Sequence, residues 1–140
     1  MLNMGGGAQP TRIINEDEET RLLLYGDDDQ SGAGFLIRFL LNTGLRVGEA
    51  HHVTWADVMG ATGIHTELVI KPEWTKNKVG RILPIASKLH AILLQHQSIC
   101  LYKTKAALDL SWPVLPGWRK KAWSIRRMQR IIQRLGNDAL

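Results

Sequence analysis

Two short β-type runs, Leu68-Val69-Ile70 and Arg81-Ile82-Leu83-Pro84-Ile85, interrupt a chain whose other apolar residues recur at helical spacing. The polar, basic stretch Thr75 to Gly80 separates them, so the pair reads as antiparallel strands around a basic turn. Upstream, Asn15 is placed to cap a helix. The acidic run Glu16-Asp17-Glu18-Glu19 suits its N-terminus, and Leu22 to Tyr25 supply its apolar positions. The Asp- and Gly-rich stretch Gly26 to Gly34 reads as a loop. Ser31 is placed to cap the next helix, whose core run is Phe35, Leu36, Ile37, Phe39, Leu40 and Leu41, and Thr43-Gly44 ends it. A short helix over Arg46 to His52 follows, and Thr54 to Val58 leads out of it.

Downstream of the strands, Ser87 is expected to cap a helix with Leu89, Ile92, Leu93, His96 and Ile99 at near-helical spacing. Leu108 to Gly117, with Pro113 and Pro116, reads as a loop. The last predicted helix, Arg119 to Leu135, is basic and amphipathic. Ala122, Ile125, Met128, Ile132 and Leu135 share one face, and Arg126, Arg130 and Arg134 line another. The expected fold class is therefore α+β, mostly helical, with helices around a small antiparallel β-sheet.

Size and composition bound the function. A chain of 140 residues, 44% hydrophobic and 22% charged, is of single-domain size and composition. No apolar run approaches the ~18–20 residues a membrane span needs. The N-terminus shows no secretory pattern, and a single cysteine, Cys100, excludes an internal disulfide. Together these predict a cytoplasmic protein. The charge is unevenly placed: residues 1–70 hold ten acidic and four basic side chains, residues 71–140 fourteen basic and three acidic. The second half suits a polyanionic partner such as nucleic acid, or is simply a solvated basic surface.

Two constellations carry chemistry. In Asn42-Thr43-Gly44-Leu45-Arg46-Val47-Gly48-Glu49-Ala50, a tight Thr-Gly turn presents Arg46 near the start of a helix. There its guanidinium fork and the helix-end N–H groups favour an oxyanion, and Glu49 can orient it. Taken alone, an ordinary salt bridge beside a helix turn is the better reading. In Thr75 to Ile85, Lys76, Lys78 and Arg81 cluster on a turn, where cations reach a phosphate, act as a general acid, or merely stay solvated.

In order, these segments resemble the tyrosine recombinase (phage integrase) family. The similarity lies in Thr43-Gly44-Leu45-Arg46-x-x-Glu49, then Trp55-Ala56-Asp57-Val58, then Thr75-Lys76-x-x-x-x-Arg81-x-x-Pro84. The start at Thr11 to Leu24 is also similar to the opening of that family's catalytic domain. The resemblance implies site-specific DNA recombination or integration through a covalent 3′-phosphotyrosyl intermediate, with no metal or cofactor. It assigns Arg46 to the scissile phosphate and Glu49 to supporting that arginine. Lys76 becomes the proton donor to the departing 5′-oxygen, with Lys78 as its neighbour in competition. Lys78, Arg81, Arg119, Lys120, Lys121, Arg126, Arg127, Arg130 and Arg134 become candidate DNA-binding residues. Double-stranded DNA is the implied partner, with other recombinase protomers a further candidate, and no membrane or small-molecule substrate is implied.

The family pattern is incomplete here. No histidine is followed three residues on by arginine, and Tyr25 and Tyr102 both precede the basic helix. Residues 1–10, with Gly5-Gly6-Gly7 and nothing to bury, are expected to be a flexible segment. Residues 11–140 are expected to form a partial tyrosine recombinase catalytic domain lacking the His-x-x-Arg box and the nucleophilic tyrosine. Strand cleavage by this chain alone is not expected. The other readings are a non-catalytic DNA- or partner-binding module that modulates a full-length recombinase, and a decayed remnant. His51-His52 lack further ligands at metal-binding spacing, and Gly32-Ala33-Gly34 lacks the context of a nucleotide loop. The five tryptophans suit core or loop packing, with Trp118 and Trp123 placed beside Arg119-Lys120-Lys121 for contact with DNA sugars.

Overall fold

The computed structural model describes residues 32–139. The helix expected from Asn15, the start at Thr11 and the Ser31 cap lie outside the described residues. About half of the described residues are helical and the rest are loops and two small antiparallel sheets, in agreement with the predicted class. The described residues divide into two compact units: 32–47 together with 124–139, and 48–123.

In the first unit, α1 spans Ala33–Thr43 and α5 spans Ile125–Ala139, and the two helices are in contact. The apolar run of α1 buries Phe35, Leu36, Ile37, Phe39 and Leu40, whereas Leu41 is half-buried. Gly44 ends α1 as predicted: at φ 70° its N–H donates to the Leu40 carbonyl at 2.9 Å, a left-handed position that suits glycine. Thr43 completes the turn, donating its hydroxyl to the Phe39 carbonyl and accepting from the Leu45 N–H.

The basic helix begins later than the sequence suggests. Ser124 caps α5, its Oγ accepting from the Arg127 N–H at 3.0 Å and its carbonyl from the Met128 N–H at 3.1 Å. Met128, Ile132 and Leu135 form the buried face. Arg119, Lys120 and Lys121 precede the helix, and so does Ala122. Within the second unit the Trp123 N–H donates to the Leu115 carbonyl, which takes this stretch out of helical geometry.

The second unit begins within α2 (Val47–Ala50), which is shorter than the predicted Arg46–His52, and continues with α3 (Trp55–Val58). The Asp57 carboxylate accepts from both the backbone N–H and the hydroxyl of Thr54, at 2.8 and 3.0 Å, closing a capping box. Asp57→Ala should therefore cost about 1 kcal/mol, read as a lower urea midpoint at unchanged slope. Two-residue strands β1 (Met59–Gly60) and β2 (Gly63–Ile64) pair next. The expected hairpin follows as β3 (Glu67–Ile70) and β4 (Arg81–Pro84), with Leu68 opposite Leu83 and Val69 opposite Ile82. Alternation buries Leu68 and Ile70 and turns Val69 and Ile82 outward.

Helix α4 runs from Ser87 to Thr104 with Ala86, not Ser87, at the cap position. Its buried residues are Leu89, Ile92, Leu93, His96 and Cys100. Ile99, expected among them, is 41% exposed, because the helical period carries the buried side from His96 to Cys100. Cys100 is fully buried, and burial pushes its thiol pKa up to about 12, with Lys103 pulling weakly the other way. The Leu108–Gly117 loop lies along residues 53–56: Val114 donates to the Val53 carbonyl, and Trp55 and Ala56 donate to the carbonyls of Trp112 and Leu110. The fully buried Trp55 donates its indole N–H to the Gly117 carbonyl at 2.8 Å and stacks on His96 at 5.6 Å.

Candidate functional site

The connection from β3 to β4 is fastened at its root and open at its tip. A single 3₁₀ turn covers Pro72–Trp74, and Thr75, 6% exposed, returns both its N–H and its hydroxyl to the Pro72 carbonyl. The tip is a tight local turn. The Lys78 N–H donates to the Thr75 carbonyl at 3.3 Å, the Val79 N–H donates to Asn77 Oδ1, and Lys78 adopts φ 60°. Lys76, Asn77, Lys78 and Val79 are all exposed. Both candidate lysines thus sit on one short, solvent-facing turn, as the sequence predicted.

At the root, Arg81 forms a two-pronged ion pair with Glu49. Nη1 donates to Oε2 at 3.0 Å and Nη2 donates to Oε1 at 3.1 Å. Glu49 is 7% exposed, so its carboxylate gains most from a fixed cation, and that hydrogen bonding raises the Arg81 pKa further. Nearby, His52 stacks parallel to Trp74 with centroids 5.9 Å apart, and Lys71 Nζ lies 5.3 Å from the Trp74 ring centre. Burial, and then the adjacent His51, lower the His52 pKa, while Glu73 opposes them. His51 donates Nδ1–H to the Trp123 carbonyl at 2.7 Å, which fixes its tautomer.

Other candidates fall into separate places. In the first unit Arg46 is exposed between the buried Leu45 and Val47, just past the Gly44 turn. Arg126, Arg127, Arg130 and Arg134 are exposed on α5, away from the buried face of Met128, Ile132 and Leu135. In the second unit Arg119, Lys120 and Lys121 are exposed after Trp118, whose ring carries Lys103 Nζ at 4.4 Å. Trp123 is 2% exposed, which agrees with the core-packing reading of the tryptophans and rules out its alternative as a contact for DNA sugars. The Glu49–Arg81 pair and the His52–Trp74 stack were missed from sequence. Partners 32 positions apart leave no spacing signal to read.

No protein-family model matches the sequence, and no curated protein matches it. Among solved structures, the crystal structure of XerA recombinase aligns with a TM-score of 0.69 at 22% sequence identity. The fold resembles that of XerA recombinase. The alignment covers 95% of this chain and 44% of that chain, so this chain spans less than half the length of its structural neighbour. At this identity the likeness concerns the fold. Among the described residues no helix is long and apolar enough to cross a membrane.

Proposed function

We propose that residues 11–140 are part of a tyrosine recombinase catalytic domain and that the chain grips the phosphate backbone of double-stranded DNA. The observation that carries this reading is the likeness to the XerA recombinase fold over 95% of the chain. The exposure of Arg46 and Lys76, both within the family-like motifs, supports it. In this reading Arg46 offers its fork to the scissile phosphate, where its charge counters the charge that builds on the phosphoryl oxygens. The family-like motif gives Glu49 the part of supporting that arginine, and its two oxygens take the Arg81 fork. Lys76 stands ready to protonate the departing 5′-oxygen, with Lys78 beside it. Arg81, Arg119, Lys120, Lys121 and the α5 arginines Arg126, Arg127, Arg130 and Arg134 hold the flanking backbone.

These 140 residues hold no His-x-x-Arg sequence, and Tyr25 and Tyr102 lie outside the context of the family's nucleophile. Tested by itself, this chain therefore binds DNA and forms no covalent bond to it. In titrations of a labelled duplex, affinity should fall as salt rises, with a log–log slope of about −0.9 per phosphate contact. Arg46→Ala and Lys76→Ala should each flatten that slope by about one contact, and Arg46→Ala should weaken binding more than Arg130→Ala. Absence of binding at about 50 mM salt would sink the proposal, because such contacts are strongest there. A protein–DNA adduct that survives denaturation would overturn the non-cleaving part of it.

A further inference from the structure

We infer that Glu49 and His52 are positioning residues for the basic loop: they hold its two feet, Arg81 and Trp74, and so fix where Lys76 stands. This inference rests on the reading of Lys76 as a phosphate-contacting residue. Trp74 and Arg81 bracket the exposed tip, and both are engaged by the same short segment, residues 49–52. Between them the tip is stabilised by the two local turn bonds already described. A lysine on such a tip would lose much of its freedom on meeting DNA, which weakens binding unless the loop is ordered beforehand.

Three observations show a root built for fixed geometry. The Arg81 fork meets both oxygens of Glu49, which sets orientation as well as distance, a constraint that a lysine ammonium cannot reproduce. Glu49 is buried and therefore costly to leave without its cation. Gly80, the residue before Arg81, lies so close to the opposite foot that a Cβ there would meet the Ile70 carbonyl oxygen at 2.8 Å and Pro72 Cδ at 3.0 Å. The loop is thus closed tightly at its base, and its feet are seated on α2 and the turn that follows.

Charge arithmetic makes the inference testable, because it predicts the opposite of a simple electrostatic effect. Glu49→Gln raises the net charge by one and releases Arg81 from its anion. If Arg81 served only as positive charge facing DNA, this variant would bind a duplex more tightly. A positioning role predicts weaker binding. The experiment uses the full chain and the variants Glu49→Gln, Arg81→Lys, His52→Ala and Lys76→Ala. It reads amide hydrogen exchange at Lys78 and Val79, and affinity for a labelled DNA duplex at fixed salt.

Glu49→Gln, Arg81→Lys and His52→Ala should each speed exchange at the tip about tenfold while the amides of Leu93 and His96 in α4 stay protected. Duplex binding should weaken about fivefold in each. Arg81→Lys keeps the charge and alters an exposed residue, so it reports even where loss of the buried Glu49 carboxylate unfolds the chain. Unchanged tip exchange in Arg81→Lys, or tighter duplex binding by a folded Glu49→Gln, overturns the inference. Faster tip exchange combined with wild-type binding by Lys76→Ala upholds the tether and overturns only the role given to Lys76 in DNA contact.

Discussion

Gly117→Ala is expected to destabilise the protein by about 4 kcal/mol, a large fraction of the roughly 5–15 kcal/mol that holds an ordinary domain folded. Two costs coincide at this residue. Its φ of 103° is a backbone conformation that side-chain-bearing residues rarely adopt. A Cβ would also lie 2.7 Å from Cys100 Sγ, 2.8 Å from His96 Nε2 and 3.0 Å from the Val114 carbonyl oxygen. None of these neighbours can retreat. Cys100 and His96 are buried on α4, His96 is hydrogen-bonded to Val114, and the Gly117 carbonyl itself accepts from the Trp55 indole. Gly63 supplies the control, since its φ is 115° with nothing within 4 Å of the added carbon. Gly63→Ala should lose only the strain, about 1 kcal/mol. Urea denaturation of the two variants separates the terms, and equal losses would refute the packing account.

Acid should weaken the protein through His96. Burial lowers its pKa from 6.5 to about 4, against the opposing pull of the hydrogen bond that Nε2–H donates to Val114. The unfolded chain takes up the proton near 6.5, whereas the folded chain refuses it until about 4. Within that window the unfolded state binds more protons, so stability falls as the pH falls. The contribution of neutral His96 is complete above pH 6.5 and is lost by about pH 4, a change of about 3 kcal/mol at most. His96→Gln can still donate to the carbonyl but has no proton to gain in this range. Its urea stability between pH 7 and 4.5 should slope less than that of the wild type, with the carboxylates common to both cancelling. Identical slopes would mean that His96 titrates normally in the fold.

The features legible in the sequence were those with local causes. Two short β-type runs around the polar, basic stretch Thr75 to Gly80 marked the larger hairpin, and the Gly44 turn followed from a buried run ending in Thr-Gly. The small hairpin at 59–64 was not legible, because two residues per strand carry no period. The start of α5 was misplaced because Ala122 continues the apolar spacing of Ile125 and Met128, while the bond from Trp123 to Leu115 is a tertiary constraint. Ile99 is near the helical spacing of Leu89, Ile92, Leu93 and His96, yet the angular period of α4 carries the buried side to Cys100 instead. At the candidate site, the placement of Lys76 and Lys78 on an exposed turn was readable. The engagement of Glu49 by Arg81 was not, since nothing in either segment points to the other.

The depth of Cys100 gives its chemistry a different meaning from that of a surface thiol. Burial pushes its thiol up to about 12, which keeps the reactive thiolate scarce at neutral pH, and the side chain is shut away from solvent. It is also the chain's single cysteine. Its sulfur lies against the 108–117 loop, 3.8 Å from the Pro116 carbonyl oxygen, so air oxidation, alkylation and cross-linking between chains become reporters of separation between that loop and α4.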